Sequence, residues 1–198
     1  QRGYITPQEF NLLANQAQLQ VFESYFYTKN HREISEPDRD PHTTETDISK
    51  LIDQKLKPFT TVQGLTGGGT TLPTTVSGDT VFQTGKIFYN DGSYPRPCRE
   101  VELEELNRLL ASTRHIGNEP VYVESWATGE DIRVYVPGDT VPQKTGNISC
   151  ECITVPDDAA WGYVVVNNKA LYNSNTSTNF QLHVSEEDTL VTKILELA

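Results

Sequence analysis

Between Pro7 and Tyr27 the chain has no glycine and no second proline, and its apolar residues fall on two sides of any helix built there. The start is well marked. Thr6-Pro7-Gln8-Glu9 supplies a capping hydroxyl, a proline at the first helical position and an acid three residues after the cap. At about 100° per residue, Phe10, Leu13, Ala14, Ala17, Val21 and Tyr25 form one broad stripe. Leu12, Leu19, Phe22 and Phe26 form a second stripe nearly opposite, with Asn11, Gln16, Gln20 and Glu23 on the flanks. A helix on the outside of a monomer needs one apolar face, so two predict burial on both sides. Either the helix is sandwiched within its own domain or it lies between subunits, and Leu12, Leu19, Phe22 and Phe26 are then the candidate assembly interface.

The remaining segments predict an α+β chain. Residues 28–46 are polar, carry Pro37 and Pro41, and read as an extended loop. A second helix from about Thr46 to Lys57 puts Ile48, Leu51, Ile52 and Leu56 on one face and stops at Pro58. Short strands are expected at 80–84 and 86–90, followed by a turn at Asn90-Asp91-Gly92. A helix near 102–112 has Glu102, Glu104 and Glu105 in its first turn and Arg108 and Arg114 toward its end, as the helix dipole favours. Leu103, Leu106 and Leu110, joined by Leu109, form its stripe. Further strands are expected at 121–126, 131–136, 148–154, 161–166, 169–172 and 179–184, with Asn167-Asn168 turning a hairpin. Ser185-Glu186-Glu187-Asp188 should cap a closing helix lined by Leu190, Val191, Ile194 and Leu195.

Helices at both chain ends, packing together, would thus enclose an inserted antiparallel β-rich region. The corresponding boundaries are 1–58 for the helical segment with its long loop, 59–184 for the β-rich region with its helix, and 185–198 for the closing helix.

A formal charge of −11 and a pI near 4.8 are wrong for gripping phosphate backbones, which takes clustered Lys and Arg. No run of about 18 apolar residues marks a membrane helix, and there is no secretory signal pattern. The three cysteines include Cys150 and Cys152, two apart on one strand face and poor disulfide partners, so a reducing compartment fits. The chain has no Met and ends within a predicted helix, as would a piece of a longer product.

The sequence offers little reactive chemistry. Asp38, Asp40 and His42 match no calcium loop or zinc helix. Gly64, Gly67, Gly68 and Gly69 lack the Lys-Ser/Thr that completes a phosphate-binding loop and read as a turn. The histidines His31, His42, His115 and His183 are scattered, and His183 reads as a surface or structural residue. Neither a nucleophile elbow nor a His-Glu-x-x-His helix is present. No catalytic residue, metal ligand or cofactor site is expected. Trp126 and Trp161, with Tyr122, Tyr163 and Tyr172, could serve a sugar platform but more ordinarily fill a core or an interface.

The opening QRGYITPQEFNLLANQAQLQVFESYF resembles the start of a family of virion structural proteins of marine and crAss-like tailed bacteriophages. The resemblance returns at VELEELNRLLAS and in the closing stretch from Ile153 to Ala198. Its structural motif residues there are Trp161 and Tyr163 of Trp-Gly-Tyr, Phe180 and Leu182 of Phe-x-Leu-His, and Ser185 and Glu186 before the last helix. These blocks cover roughly half the chain, in the family's order; residues 28–97 resemble nothing in it.

The resemblance implies a non-enzymatic head–tail connector of the neck. Such a subunit forms a homo-oligomeric ring, dodecameric in one reading, beside the portal and other neck or tail proteins. DNA would pass through without sequence-specific binding, past exposed Asp and Glu, and no membrane is involved. The subunit would be made in the bacterial host cytoplasm and reside in the virion. A tail-associated carbohydrate-binding or host-attachment module is the alternative.

Overall fold

A computed structural model describes the backbone of residues 5–35, 44–112, 119–125, 129–167 and 169–198, and their side chains apart from 28–35 and 44–49. In chain order the elements are α1 (Pro7–Ser35), α2 (Thr44–Leu56), β1 (Thr60–Gly64), β2 (Thr75–Val76), β3 (Asp79–Asn90), β4 (Pro95–Pro97), β5 (Arg99–Glu100) and α3 (Leu103–Ala111). They continue with β6 (Val121–Glu124), β7 (Ile132–Tyr135), β8 (Gln143–Lys144), β9 (Ile148–Thr154), β10 (Tyr163–Val166), β11 (Lys169–Tyr172) and α4 (Glu187–Leu197). Helices therefore stand at both chain ends with antiparallel β-structure between them, an α+β fold. The chain divides into two compact units. One takes the chain up to Pro58 and again from Val155 to Ala198; the other is Phe59–Thr154. Residues 155–184, read from sequence with the β-rich region, group with the terminal helices instead.

In the first unit α1 is opened by a reciprocal capping box. The Glu9 amide donates to Thr6 Oγ1 (3.3 Å) and the Thr6 amide to Glu9 Oε2 (2.9 Å). The Thr6 amide first, and then the Thr6 hydroxyl, which also donates to Glu9 Oε2 (2.8 Å), hold the Glu9 carboxyl below its usual range. α1 runs on to Ser35 and α2 begins at Thr44, so much of the expected 28–46 loop is helical. Polarity alone is no helix breaker, and the first proline after Pro7 is Pro37. Asp38, Asp40 and His42 lie outside the described residues. α4 packs on α1.

The second unit holds two sheets. One runs β1-β9-β3-β2, with β4 also on β3; the other runs β5-β6-β7-β8 and is antiparallel except between β5 and β6. Alternation explains their faces: Ile148, Cys150 and Cys152 of β9 turn inward, as do Ile132 and Val134 of β7, and with Val76 and Ile87 they make one core. On the other face of β6, Val121 and Val123 pack with Val101 and Leu106.

Only Leu106 of α3's stripe is buried; Leu103 and Leu110 are exposed, so they are not the core residues expected from sequence. The two strands expected at 80–84 and 86–90 are one strand, β3, with register shifts between Val81 and Gln83 and between Thr84 and Ile87. The second lies around Gly85, whose absent side chain leaves room for Glu151. The turn after β3 is as read, with Gly92 at φ 99° and its amide on Asn90 Oδ1 (2.9 Å).

All three cysteines are free thiols. Burial pushes the Cys98 thiol up to about 12, and burial followed by the neighbouring Cys152 does the same for Cys150. Such thiols are protonated at neutral pH and are poor nucleophiles. An alkylating reagent at pH 7 should therefore label Cys98 and Cys150 slowly in the folded chain and quickly in denaturant, as followed by intact mass; fast labelling of the folded protein would contradict the packing.

Candidate assembly surface

Among the described residues, the stretch from Val155 to Glu186 has one short ladder of its own, the hairpin of β10 and β11. Buried backbone must still find hydrogen-bond partners, and here amide side chains of α1 supply them. Asn11 reads the backbone of Trp161 from both ends: Oδ1 accepts from its amide (2.7 Å) and Nδ2 donates to its carbonyl (3.5 Å). Gln18 donates to the carbonyl of Asp157 (2.8 Å) and accepts from the amide of Gln181 (3.3 Å). The Gln181 side chain returns the link, donating to Asp157 Oδ2 (2.6 Å) and accepting from the Asp157 amide (2.9 Å). Gln8 Nε2 donates to the Tyr163 hydroxyl (3.0 Å).

The burial of α1 follows from this. At about 100° per residue, Ala17, Val21, Ala14, Tyr25, Gln18 and Phe22, all buried, succeed one another around about 140° of the helix. Gln18 lies inside that arc because it has backbone to satisfy. Phe22 is fully buried at the arc's edge and stacks edge-on with half-buried Phe26, ring centroids 5.2 Å apart. The second stripe of the sequence is thus split. Phe22 belongs to the fold of the unit and is not a free contact surface, whereas Leu12 (69% exposed) and Leu19 remain outside.

The motif residues sort in the same way. Trp161 is half-buried, edge-on to Phe10 at 5.8 Å, and with Phe180 and Tyr172 it lines an apolar cleft of about 430 Å³. Tyr163 and Leu182 are half-buried. The strand expected at 179–184 is absent: Thr178 pairs with Ala160 only as an isolated bridge, the Gln181 amide goes to α1, and Val184 is 82% exposed. Nor does Ser185 cap the last helix. His183 Nδ1 accepts from the Ser185 amide (3.2 Å) and caps a 3₁₀ turn, Val184–Glu186, that leads into α4. An imidazole nitrogen can cap as a hydroxyl does, a signal that polar-cap rules overlook. Buried Glu186 forms an ion pair with Lys55, whose Nζ also lies 5.6 Å from the centre of the Tyr25 ring. Burial, then the Glu186 carboxylate, drives the Tyr25 hydroxyl well above its ordinary pKa. Trp126 lies outside the described residues.

Several large apolar side chains remain open to solvent. The hairpin exposes Val164, Val166 and Leu171 on one face and Val165 and Tyr172 on the other. Val191 and Leu195 of α4 are exposed as well. Between Ala159 and Leu182 the only charged residue is Lys169, in a chain of which 22% is charged. Depletion of charge around exposed aliphatic and aromatic side chains is a feature that interaction surfaces share.

Among the described residues no group of three or more His, Cys, Asp or Glu could hold a metal ion, and no helix is long and apolar enough to cross a membrane. No protein-family model and no curated protein matches the chain.

Gln18→Ala should strand the Asp157 carbonyl and the Gln181 amide, at a cost of about 2 kcal/mol or more. Chemical denaturation measures the loss, and amide hydrogen exchange at Gln181 should accelerate; unchanged exchange there would contradict the lacing. Gly162→Ala should do comparable damage, about 3 kcal/mol, because a Cβ would stand 2.5 Å from the backbone carbon of Thr176. An unaltered denaturation midpoint would disprove that contact.

Proposed function

We propose that this chain is a structural, non-enzymatic subunit of a tailed-phage particle, a head–tail connector that packs into a ring below the portal and extends the DNA channel. The observation that carries the proposal is the charge-depleted, two-faced apolar hairpin joined to the helical unit. A ring built on a heterologous interface needs two different adhesive surfaces on each subunit, and permanent interfaces are the more apolar ones. The resemblance of the two chain ends to virion structural proteins supplies the biological setting. The charge of −11 agrees with a conduit from which phosphates are repelled rather than held. The neighbours would be other copies, the portal, and neck or tail proteins, within the virion.

The cleft beside Trp161 favours the alternative of a tail-associated carbohydrate-binding or host-attachment module, since an aromatic wall is what a sugar ring stacks on. Its chemistry speaks against that use. Two of its polar side chains are committed to the chain's own backbone: Asn11 to Trp161, and Ser177 between Gly162 and Asn173. Reading sugar hydroxyls takes polar groups that face the ligand.

Purified protein should form closed, ring-shaped oligomers visible by negative-stain electron microscopy, with a discrete mass in sedimentation. The double substitution Val164→Asp with Val166→Asp, on one exposed face of the hairpin, should weaken assembly at least tenfold while leaving the circular dichroism spectrum unchanged. Phe22→Asp is unsuited to the purpose, because it would bury a carboxylate and unfold the unit. A chain that stays monomeric at tens of micromolar, or that binds glycans, would count against the ring.

A further inference from the structure

We infer that copies of this chain join by strand addition, β10 of one copy pairing with the outer edge of β1 of the next. The inference rests on the ring reading and goes beyond it by naming the two surfaces.

β10 and β11 form a ribbon of two strands, which by itself is marginal in water; a third strand or a covering layer is needed. Its apolar residues lie on both faces, so a cover on one side alone would leave the other wet. Lys169 stands on β11, and a charged side chain on a strand discourages further pairing, whereas β10, Tyr-Val-Val-Val, has no charge and no proline. The donor edge is therefore β10.

The acceptor is identified by elimination among the sheet edges of the Phe59–Thr154 unit. β2, β5 and β8 are two residues long, β5 and β8 are charged, and β4 begins and ends with proline. Those are the devices that keep strand edges from pairing. β1, Thr-Thr-Val-Gln-Gly, has none of them. It is five residues long, uncharged and proline-free, lies at the end of its sheet beside β9 among the described strands, and exposes Val62 at 62%.

The two edges match in hydrogen-bonding phase. In an antiparallel pair, successive residues alternately aim their amide and carbonyl toward the partner and away from it. The Leu65 amide bonds the Ile148 carbonyl, so Gln63 also faces β9, and Val62 and Gly64 face outward. The Asn173 amide bonds the Gly162 carbonyl, so Val164 faces β11, and Tyr163 and Val165 face outward. Val62 and Gly64 on one edge and Tyr163 and Val165 on the other are thus spaced alike, two apart. Donor and acceptor belong to one sequence, so a second copy completes both, and because the two differ the contact is head-to-tail, the type that closes into rings or runs on as filaments.

Proline at an outward position deletes the intermolecular amide and spares the ladder inside the chain. Val165→Pro and Val62→Pro should each lower self-association at least tenfold by analytical ultracentrifugation, with circular dichroism unchanged. Val165→Thr and Val62→Thr, which keep the amide, should assemble like the parent. Mixing the two proline variants is the decisive arm. One retains β1 and the other β10, so the mixture should give a dimer and nothing larger. If the parent forms rings and both proline variants do too, strand addition is wrong and the ring reading survives. If the parent stays monomeric and only a different phage protein covers the hairpin, both are wrong. Dimers of Val62→Pro alone would replace the inferred contact with hairpin-to-hairpin pairing.

Discussion

The helical unit depends on amide side chains doing what a sheet would otherwise do. Gln18, buried in the middle of α1's contact face, and Asn11, one turn inside its start, hold the carbonyls and amides of Asp157, Trp161 and Gln181. A segment that joins no extended sheet depends on these bonds beside its own hairpin, bridge and turns, and burial makes each of them matter more than it would in water. The same bonds fix where Trp161 sits, and so where the β10–β11 ribbon leaves the unit. Remove them and the ribbon loses its foundation as well as its neighbour.

That arrangement accounts for the unusual surface. α1 spends its apolar face and its amides on the segment that follows Val155, and the segment spends its own aromatic residues, Trp161 and Phe180, on the cleft beside Phe10. The ribbon is left with valines on both faces and no layer of its own. In a chain so acidic, the stretch from Ala159 to Leu182 carries one charge, and that depletion is what the proposed assembly rests on. The unguarded β1 edge in the other unit is its counterpart in kind: short, neutral, and lacking the prolines and charges that protect the edges around it.

Much of the fold was legible in the residues because local rules carried it. The capping box at Thr6 and Glu9, the Asn90-Asp91-Gly92 turn and the alternating inward Ile148, Cys150 and Cys152 are patterns that short-range physics enforces. The misreadings have physical causes too. Residues 28–35 were polar enough to pass for a loop, yet nothing in them breaks a helix. Phe180, Leu182 and Val184 alternate as a strand would, but the Gln181 amide between them goes to a glutamine of α1. Ser185, read as the start of the last helix's cap, leaves that place to His183, whose Nδ1 caps the turn before it.

The sequence by itself determined that α1 exists, that it is apolar beyond one face, and that the chain is acidic, because helix propensity, capping and charge are properties of neighbouring residues. Only the tertiary structure decided which apolar residues are spent inside. Phe22 lies within reach of the buried arc and Leu12 does not, and that difference of angle depends on where the Val155–Leu182 segment crosses α1. Long-range hydrogen bonds from Gln18 and Asn11 fix the crossing, and no local pattern encodes partners about 140 to 160 residues away.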